Sequence, residues 1–533
     1  MLSADRPGAL ASSRADEPYD LLVIGSGFGG AMAAAPAVLA GRRVVMVEGG
    51  DWVARGPDTW TERGFFEHSP SFNRDTPFDA TAEGRRSALG TFLCVGGASV
   101  FFGGVSMRMR EADFGSDPDI VRDSGAEWPY SYADLEPYYS QAEALLQVAG
   151  TTGEDPTEPP RSAGYPQPPA PLASISRRLA TAARELGLHP FRLPLAINYL
   201  TAEQRAACQA CSTCDGYACA IHAKNDVATT LLPRLQRSGL DLRTNTRAVR
   251  IEHEAGRVTR VVCLRPDDRQ PVYLSARRIV AAAGALNTPR LLLASGLDRI
   301  NPAGHAVGRY LMRHCNAVVL GVFRTKPAPN DEFHKQIGIH DFYFGHPSVS
   351  SPTGRLGCLQ QFGTPRGWIV RDRLPLGLGV PVSWFAPLTS GFIVMAEDRP
   401  SAGNRVALAE PAAAALDTPK ATLVHDYDAR DLAARDALVG KAKLILRRAG
   451  ALPWCPTINI PSFSHAVGTV RLGNDPQTSP LDGNGAFRGI EHLYVTDGSA
   501  LPRSAGVNPS LTISANALRT GHHILKTLEG GSQ

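Results

Sequence analysis

Short apolar runs that end in glycine, interleaved with helical spacing, mark the beginning, middle and end of this chain. Leu21–Ile24 is continuous and apolar, the mark of a strand buried on both faces. Gly25-Ser26-Gly27-Phe28-Gly29-Gly30 follows at once, then a helical stretch, then a second apolar run at Val44–Val47. The texture returns at Leu240–Arg243, Val249–Ile251, Val258–Leu264 and Arg278–Gly284, after a helix at Thr229–Arg237. Residues 284–296 read as a turn into a short helix. It returns again at His492–Val495, and Asn508-Pro509 opens a C-terminal helix. Between 301 and 460, strand-like segments such as Val318–Phe323 and Gly391–Met395 mix with loops, and Asp431–Arg448 is helical.

Other stretches break the pattern. Residues 51–90 are polar and Pro/Gly-rich without a period and read as an insertion. Residues 128–147 start with turn signals and then place Leu135, Tyr138, Tyr139, Ala142, Leu145 and Leu146 near one helical face. Residues 151–174 are Pro-rich and read as a surface excursion or linker. Pro36, about two turns into the first helix, removes a backbone hydrogen bond and should bend the axis. The pattern predicts an α/β chain with a discontinuous first domain at 18–50, 90–110, 225–300 and 462–533. Residues 51–89, 111–224 and 301–461 form a second domain and insertions, and 1–17 a flexible tail.

The first unit carries the first chemistry. Gly25 permits a tight turn, Gly27 lets backbone approach a pyrophosphate, and Gly30 lets helix pack on strand. Glu48 ends the second strand 18 residues after Gly30, where a carboxylate accepts hydrogen bonds from ribose hydroxyls. An acid there favours FAD or NAD over NADP. Gly90–Gly104 holds five glycines in fifteen residues, so its backbone either turns sharply or approaches something closely.

Composition narrows the classes. Hydrophobic residues make up 43% and charged residues 20%, as in a soluble globular protein, and the net charge is +4. With no Lys/Arg-rich run, nucleic acid is not an expected partner. No apolar run of about 18 residues spans a membrane. Residues 1–17 lack the apolar core of an export signal, and nine cysteines, an odd number, fit reduced thiols in a cytoplasm. Cys208, Cys211, Cys214 and Cys219 fit either metal or iron–sulfur ligation or a tight loop of packed thiols. Zinc sites usually pair two separated knuckles, which favours the thiols, and no metal site is expected.

At this point the motifs resemble one family, the glucose–methanol–choline (GMC) flavoprotein oxidoreductases. The most specific match is C-terminal: His465-Ala-Val-Gly-Thr469, Leu493-Tyr-Val-Thr-Asp-Gly-Ser-Ala-Leu-Pro502 and Gly506-Val-Asn-Pro509. Gly25–Gly30 with Glu48, Gly284–Gly296, Trp128-Pro129 with Pro137-Tyr138-Tyr139, Val307-Gly308-Arg309, and Glu397-Asp398-Arg399-Pro400 with Asn404-Arg405-Val406 are also similar to family segments. The cysteine segment leading into Ala223-Lys224-Asn225 resembles cholesterol-oxidase-like bacterial members.

The resemblance implies a Rossmann-like FAD-binding domain in discontinuous pieces and a substrate domain with a large antiparallel sheet. It implies FAD contacts at Gly25, Gly27, Gly30 and Glu48, backbone contacts at Val249 and Gly284, and a loop Gly96-Gly97-Ala98-Ser99 along the flavin. Many relatives have Asn where Phe102 stands, and the loop holds no His for covalent attachment, so FAD is expected to bind non-covalently. Asp497-Gly498 would hold the ribityl and pyrophosphate region, and Asn508-Pro509 would lie beside the flavin ring. His465 would be the base in oxidation of an alcohol, with Asn508 holding the substrate oxygen. Cholesterol oxidases and pyranose oxidases share this His–Asn pairing.

His522 and His523 read as structural, and His314 has no assigned role. The electron acceptor is O2 or another molecule. A mixed-polarity region with Asp331, Glu332, His334, Asp341 and Glu397 suits a carbohydrate-like alcohol, as in actinobacterial relatives that oxidise primary alcohols of aminoglycoside sugars. A sterol is the alternative substrate, and a flavin-binding homologue without alcohol chemistry is the alternative that is not an enzyme.

Overall fold

The computed structural model describes residues 18–56, 69–82, 84–200, 205–211, 214–265, 270–327, 335–352, 354–363, 384–410, 419–456 and 463–530. Its first layer is a five-stranded parallel sheet, in the order Leu493–Val495, Ala276–Ala281, Tyr19–Ile24, Val44–Val47 and Asp241–Arg243. These strands span nearly the whole chain, and their apolar side chains lie in the largest buried cluster of the protein. That burial on both faces is why they read as unbroken apolar runs. The helix Phe28–Leu39 continues through Pro36 and ends within a turn of it. It packs against the C-terminal helix Ser510–Gly530 so closely that a Cβ on Gly521 would lie 2.5 Å from the Ala33 carbonyl oxygen.

The second layer is a six-stranded antiparallel sheet, in the order Leu452–Trp454, Cys315–Val322, Thr389–Ala396, Gly357–Phe362, Ile337–Ile339 and Phe191–Arg192. Alternation along its strands separates two faces. Cys315, Val319, Leu359, Phe392, Val394 and Ala396 join a core with helices Ser174–Arg184 and Ala429–Arg448. Asn316, Val318, Leu320, Gln360, Phe362, Ile393 and Met395 face a cavity instead. Asp428 caps the longer helix by accepting from the Asp431 amide at 2.9 Å.

Two smaller sheets complete the fold. Arg247–Glu254, Arg257–Leu264 and Pro271–Leu274 form an antiparallel meander. Arg405–Leu408, Ala421–His425, Phe72–Ala82 and Arg85–Phe92 form a mixed sheet. The last two strands lie in the 51–90 stretch that shows no period in the sequence. Their register slips between Asn73 and Phe78, across Pro77, so the alternation is broken where it would have been read. The helix expected at Thr229–Arg237 is two short ones, Val227–Thr230 and Leu232–Arg237, with Pro233 in the first turn of the second. Among the described residues no helix is long and apolar enough to cross a membrane.

Candidate active site

A cavity of about 1490 Å³ runs from the glycine turn after the first strand to the loops that carry His465 and Asn508. The carboxyl ends of the parallel strands line one end of it, the place where such sheets bind ligands. Gly25 has φ +97, and a Cβ there would sit 2.5 Å from the Ala282 carbonyl oxygen. A Cβ on Gly30 would fall 1.9 Å from the Gly25 carbonyl oxygen. Gly27 differs: its φ is −68, and the nearest atom to an added Cβ is the Gly96 carbonyl oxygen at 3.8 Å. The space in front of Gly27 therefore belongs to the cavity. No side chain caps the helix that starts there, so its first N–H groups are available to an anion.

Glu48 closes this end. One carboxylate oxygen accepts from the Ser26 amide at 3.1 Å and the Ser26 hydroxyl at 2.6 Å, and the other from the Gly50 amide at 3.1 Å. Burial pushes the carboxyl above its ordinary pKa, against the lowering effect of those donors. Ser26 also accepts from the Gly96 amide at 2.9 Å, and so ties Glu48 to the Gly-rich loop. The sequence gives no sign of this, because Ser26 occupies a variable position of the glycine motif.

In that loop Gly97, Ala98 and Ser99 face the cavity. Gly96 does not, and a Cβ on it would meet the Ala228 side chain at 2.8 Å. The Ser99 hydroxyl donates to the Gly96 carbonyl at 2.6 Å. Phe102 lines the cavity and meets Phe28 edge-on, with ring centres 5.2 Å apart. Its carbonyl accepts from the buried Lys224 ammonium at 2.8 Å.

Thr246, Arg247 and Ala248 line the cavity, whereas the Val249 side chain packs with Val262 and Leu264. A bulge leaves Val249 opposite no residue of the neighbouring strand. Gly284, with φ +88, lines the cavity and donates its amide to Asp497 at 2.8 Å. The same Asp497 oxygen accepts from Thr288 at 2.5 Å, and the other accepts from the Ser499 amide and hydroxyl at 2.8 and 2.5 Å. The carboxylate is thus spent on the surrounding backbone turns, and burial pushes its pKa up. Gly498, Asn508 and Pro509 also lie on the cavity wall.

At the other end, His465 Nε2 stands 3.3 Å from Asn508 Nδ2. Asn508 Oδ1 accepts from the Gln360 amide at 2.7 Å. Behind His465 lies His314, Nδ1 to Nδ1 at 3.1 Å, with His314 Nε2 3.1 Å from the Ser504 carbonyl oxygen. Neither Gln360 nor His314 emerged from the sequence. An antiparallel bridge between Met312 and Val467 sets the histidine pair, because two residues further along it position 314 faces position 465. Burial holds the His465 imidazole well below its ordinary pKa, with His314, Lys335 and Arg313 adding to the effect. Lys335 and Asp215 form an ion pair at 2.8 Å on the cavity wall beside Gly103.

The acids expected around the substrate fare differently. Glu397 is buried against Arg503 at 2.7 Å, and Asp341 holds His189 at 2.7 Å; neither lines the cavity. Asp331, Glu332 and His334 lie outside the described residues. His522 and His523 are on the C-terminal helix, away from the cavity, and His522 meets Gln141 at 3.3 Å. Cys208, Cys214 and Cys219 are free thiols, and among the described residues no group of three or more His, Cys, Asp or Glu is placed to hold a metal ion.

Comparison with known proteins agrees with this architecture. Two family models described as GMC oxidoreductase match residues 19–316 and 400–517. The chain is 33% identical to 6'''-hydroxyparomomycin C oxidase of Streptomyces lividus, over 98% of its own length and 94% of the relative's. It is 32% identical to paromamine 6'-oxidase of Streptomyces fradiae, over 95% and 91%. The crystal structure of pyridoxine 4-oxidase from Mesorbium loti superposes with a TM-score of 0.67 at 18% identity, covering 95% of this chain and 99% of the other.

Proposed function

From the premise that the chain belongs to the GMC oxidoreductase family, an enzyme family acting on CH–OH groups, we propose that it oxidises an alcohol of an amino sugar or aminoglycoside to the aldehyde. One observation carries the alcohol chemistry: His465 Nε2 and Asn508 Nδ2, 3.3 Å apart on the wall of a cavity that begins at a dinucleotide-type glycine turn. The sugar substrate class rests on the two Streptomyces relatives, whose names specify a paromomycin derivative and paromamine.

The cavity suits the FAD that this family carries. The open space at Gly27 and the uncapped helix after it would take the pyrophosphate, and Glu48 the ribose hydroxyls. Gly97, Ser99, Gly284, Gly498 and Pro509 would border the rest of the cofactor, bound without a covalent link. Gly25, Gly30 and Gly96 would shape this site through backbone packing, Asp497 through its turn hydrogen bonds, and Val249 through its unpaired backbone. Residues 18–50, 90–110, 225–300 and 462–533 would make up the FAD-binding domain. When bound, FAD supplies a two-electron acceptor for the hydride of the alcohol carbon.

The chain's own residues supply the proton chemistry. A substrate hydroxyl between His465 and Asn508 would donate to Nε2 and accept from Nδ2. His465, neutral at pH 7 because burial depresses its pKa, takes the proton there. Asn508 holds the oxygen as charge builds on it, and Gln360 fixes the Asn508 amide. Lys335, paired with Asp215, lies on the same cavity wall and helps hold His465 neutral.

A sterol remains the second reading, favoured by Val318, Leu320, Phe362, Ile393 and Met395 on the cavity wall. Anaerobic titration with aminoglycosides, simple sugars and sterols decides between them. Bleaching of the flavin absorbance by aminoglycosides supports the proposal, and bleaching by a sterol alone overturns the substrate class. A flavin spectrum that no alcohol bleaches overturns the enzyme assignment.

A further inference from the structure

We propose that His314 is a positioning residue that fixes the tautomer of His465, keeping a hydrogen on Nδ1 and the lone pair on Nε2 toward the cavity. The proposal rests on His465 as the base. A carbonyl oxygen can only accept, so His314 Nε2, 3.1 Å from the Ser504 carbonyl oxygen, carries the hydrogen. A neutral imidazole has a single N–H, and His314 Nδ1 is therefore a bare acceptor. It meets His465 Nδ1 at 3.1 Å, which must then donate. That leaves His465 Nε2 without a hydrogen. Asn508 completes the chain of reasoning independently. Gln360 donates to Asn508 Oδ1, so the Asn508 NH2 group faces His465 Nε2, and an NH2 group there requires a lone pair on Nε2. From both sides the same tautomer follows.

The frame around His314 holds it in this role. His314 and His465 both adopt left-handed backbone, φ +64 and +58, which side chains other than glycine rarely take. The buried Asp398 carboxylate accepts from the Arg313 and His314 amides at 2.8 and 3.0 Å, and the Tyr427 hydroxyl donates to the His314 carbonyl at 2.7 Å. The two rings meet edge to face at 80°, with centres 5.1 Å apart. The Nδ1–H of His465 donates to His314 both before and after Nε2 takes a proton. The bond becomes charge-assisted in the second state, so the ring need not turn during the reaction.

The test uses the FAD-loaded enzyme and two variants. His314→Gln keeps an acceptor toward His465 and a donor toward Ser504, whereas His314→Leu has neither. His314→Leu should lower the rate of flavin reduction about 100-fold, the scale on which a ligand-orienting partner matters, with KM little changed. His314→Gln should recover most of that rate. Histidine ¹⁵N resonances, with His465 assigned by its loss in His465→Gln, should show a protonated Nδ1 and a bare Nε2 in the wild type. His314→Leu should show a mixture of tautomers. A wild-type His465 protonated on Nε2 would overturn the proposal, and so would equal loss of rate in the two variants or none in either. If His314→Leu does not fold, the wild-type spectrum and His314→Gln still decide the matter. His465→Ala tests the base assignment separately: a full rate there removes His465 as the base, while the nitrogen spectrum still reports the tautomer.

Discussion

Two glycines three residues apart in one motif should fail in different ways when replaced. Gly27 has backbone dihedrals that any residue adopts, and its Cβ would have no neighbour nearer than 3.8 Å. Valine at this position costs the fold little, since it neither strains the backbone nor overlaps protein atoms. Its branches fill the space in front of the uncapped helix, where the pyrophosphate is proposed to sit. An excluded pyrophosphate loses its helix-end hydrogen bonds, and FAD affinity should fall by at least about 100-fold, equivalent to roughly 2.7 kcal/mol. At Gly30 the balance reverses. An alanine Cβ would be 1.9 Å from the Gly25 carbonyl oxygen and 3.1 Å from Val23 Cγ1, so helix and turn must part by about 1 Å. Overpacking of buried backbone on this scale costs about 1–3 kcal/mol or more. The assay pairs flavin absorbance per chain with thermal melting of the FAD-free protein. Gly27→Val should melt like the FAD-free wild type and contain no flavin, and Gly30→Ala should melt lower. A Gly27→Val protein with a full flavin complement would refute the placement of the pyrophosphate. A Gly30→Ala protein as stable as the wild type would refute the packing argument.

Other substitutions probe the remaining contacts. His465→Ala should retain its flavin but lose about 10²- to 10⁴-fold in the rate of flavin reduction, measured by stopped flow. As the proposed base, His465 accepts a proton only when neutral, and burial holds its pKa well below 6.5. The rate should therefore stay flat from pH 8 to about 6.5 and fall only at lower pH; an acid limb above pH 7 would contradict the depressed pKa. Ser26→Ala strips Glu48 of a donor and leaves the buried Gly96 amide without its acceptor, so a melt should show a loss of about 1–3 kcal/mol. Glu397→Ala leaves the Arg503 guanidinium buried and unpaired, and denaturant unfolding should record a loss of about 3–5 kcal/mol. Unchanged stability with a raised KM would instead place Glu397 on the substrate.

The parallel sheet was legible because burial on both faces makes each strand a self-contained apolar run, which needs no knowledge of its partners. That His465 and Asn508 lie together on the cavity wall was legible through local motifs. His314 was not, since its meaning depends on the Met312–Val467 bridge between segments about 150 residues apart. The hairpin at Phe72–Ala82 and Arg85–Phe92 was hidden by a break in register across Pro77. Polarity misled at Glu397 and Asp341, because a carboxylate just beyond a strand of the antiparallel sheet satisfies an arginine or histidine as readily as it faces a ligand. Asp497 taught a similar lesson at closer range: it stands on the cavity wall, but its carboxylate ties together two turns, at Gly284–Thr288 and Asp497–Ser499.

The two sheets divide the proposed chemistry between them. The parallel sheet offers its carboxyl ends, where glycine turns and the start of a helix receive an anionic cofactor. The antiparallel sheet offers a face. Along Cys315–Val322 and Gly357–Phe362, Cys315, Val319 and Leu359 enter the helix-backed core, and alternate side chains, Asn316, Val318, Leu320, Gln360 and Phe362, reach the cavity. Gln360 is thereby placed by strand pairing on both sides, and it in turn orients Asn508. His314 stands immediately before Cys315, so the same sheet also anchors the partner of His465. The groups proposed to handle the proton are thus braced by hydrogen-bonded strands, independently of the glycine turns that would hold the cofactor. Substitutions in the antiparallel sheet should consequently alter the rate and its pH dependence while leaving flavin content intact, and substitutions in the glycine turns should do the reverse.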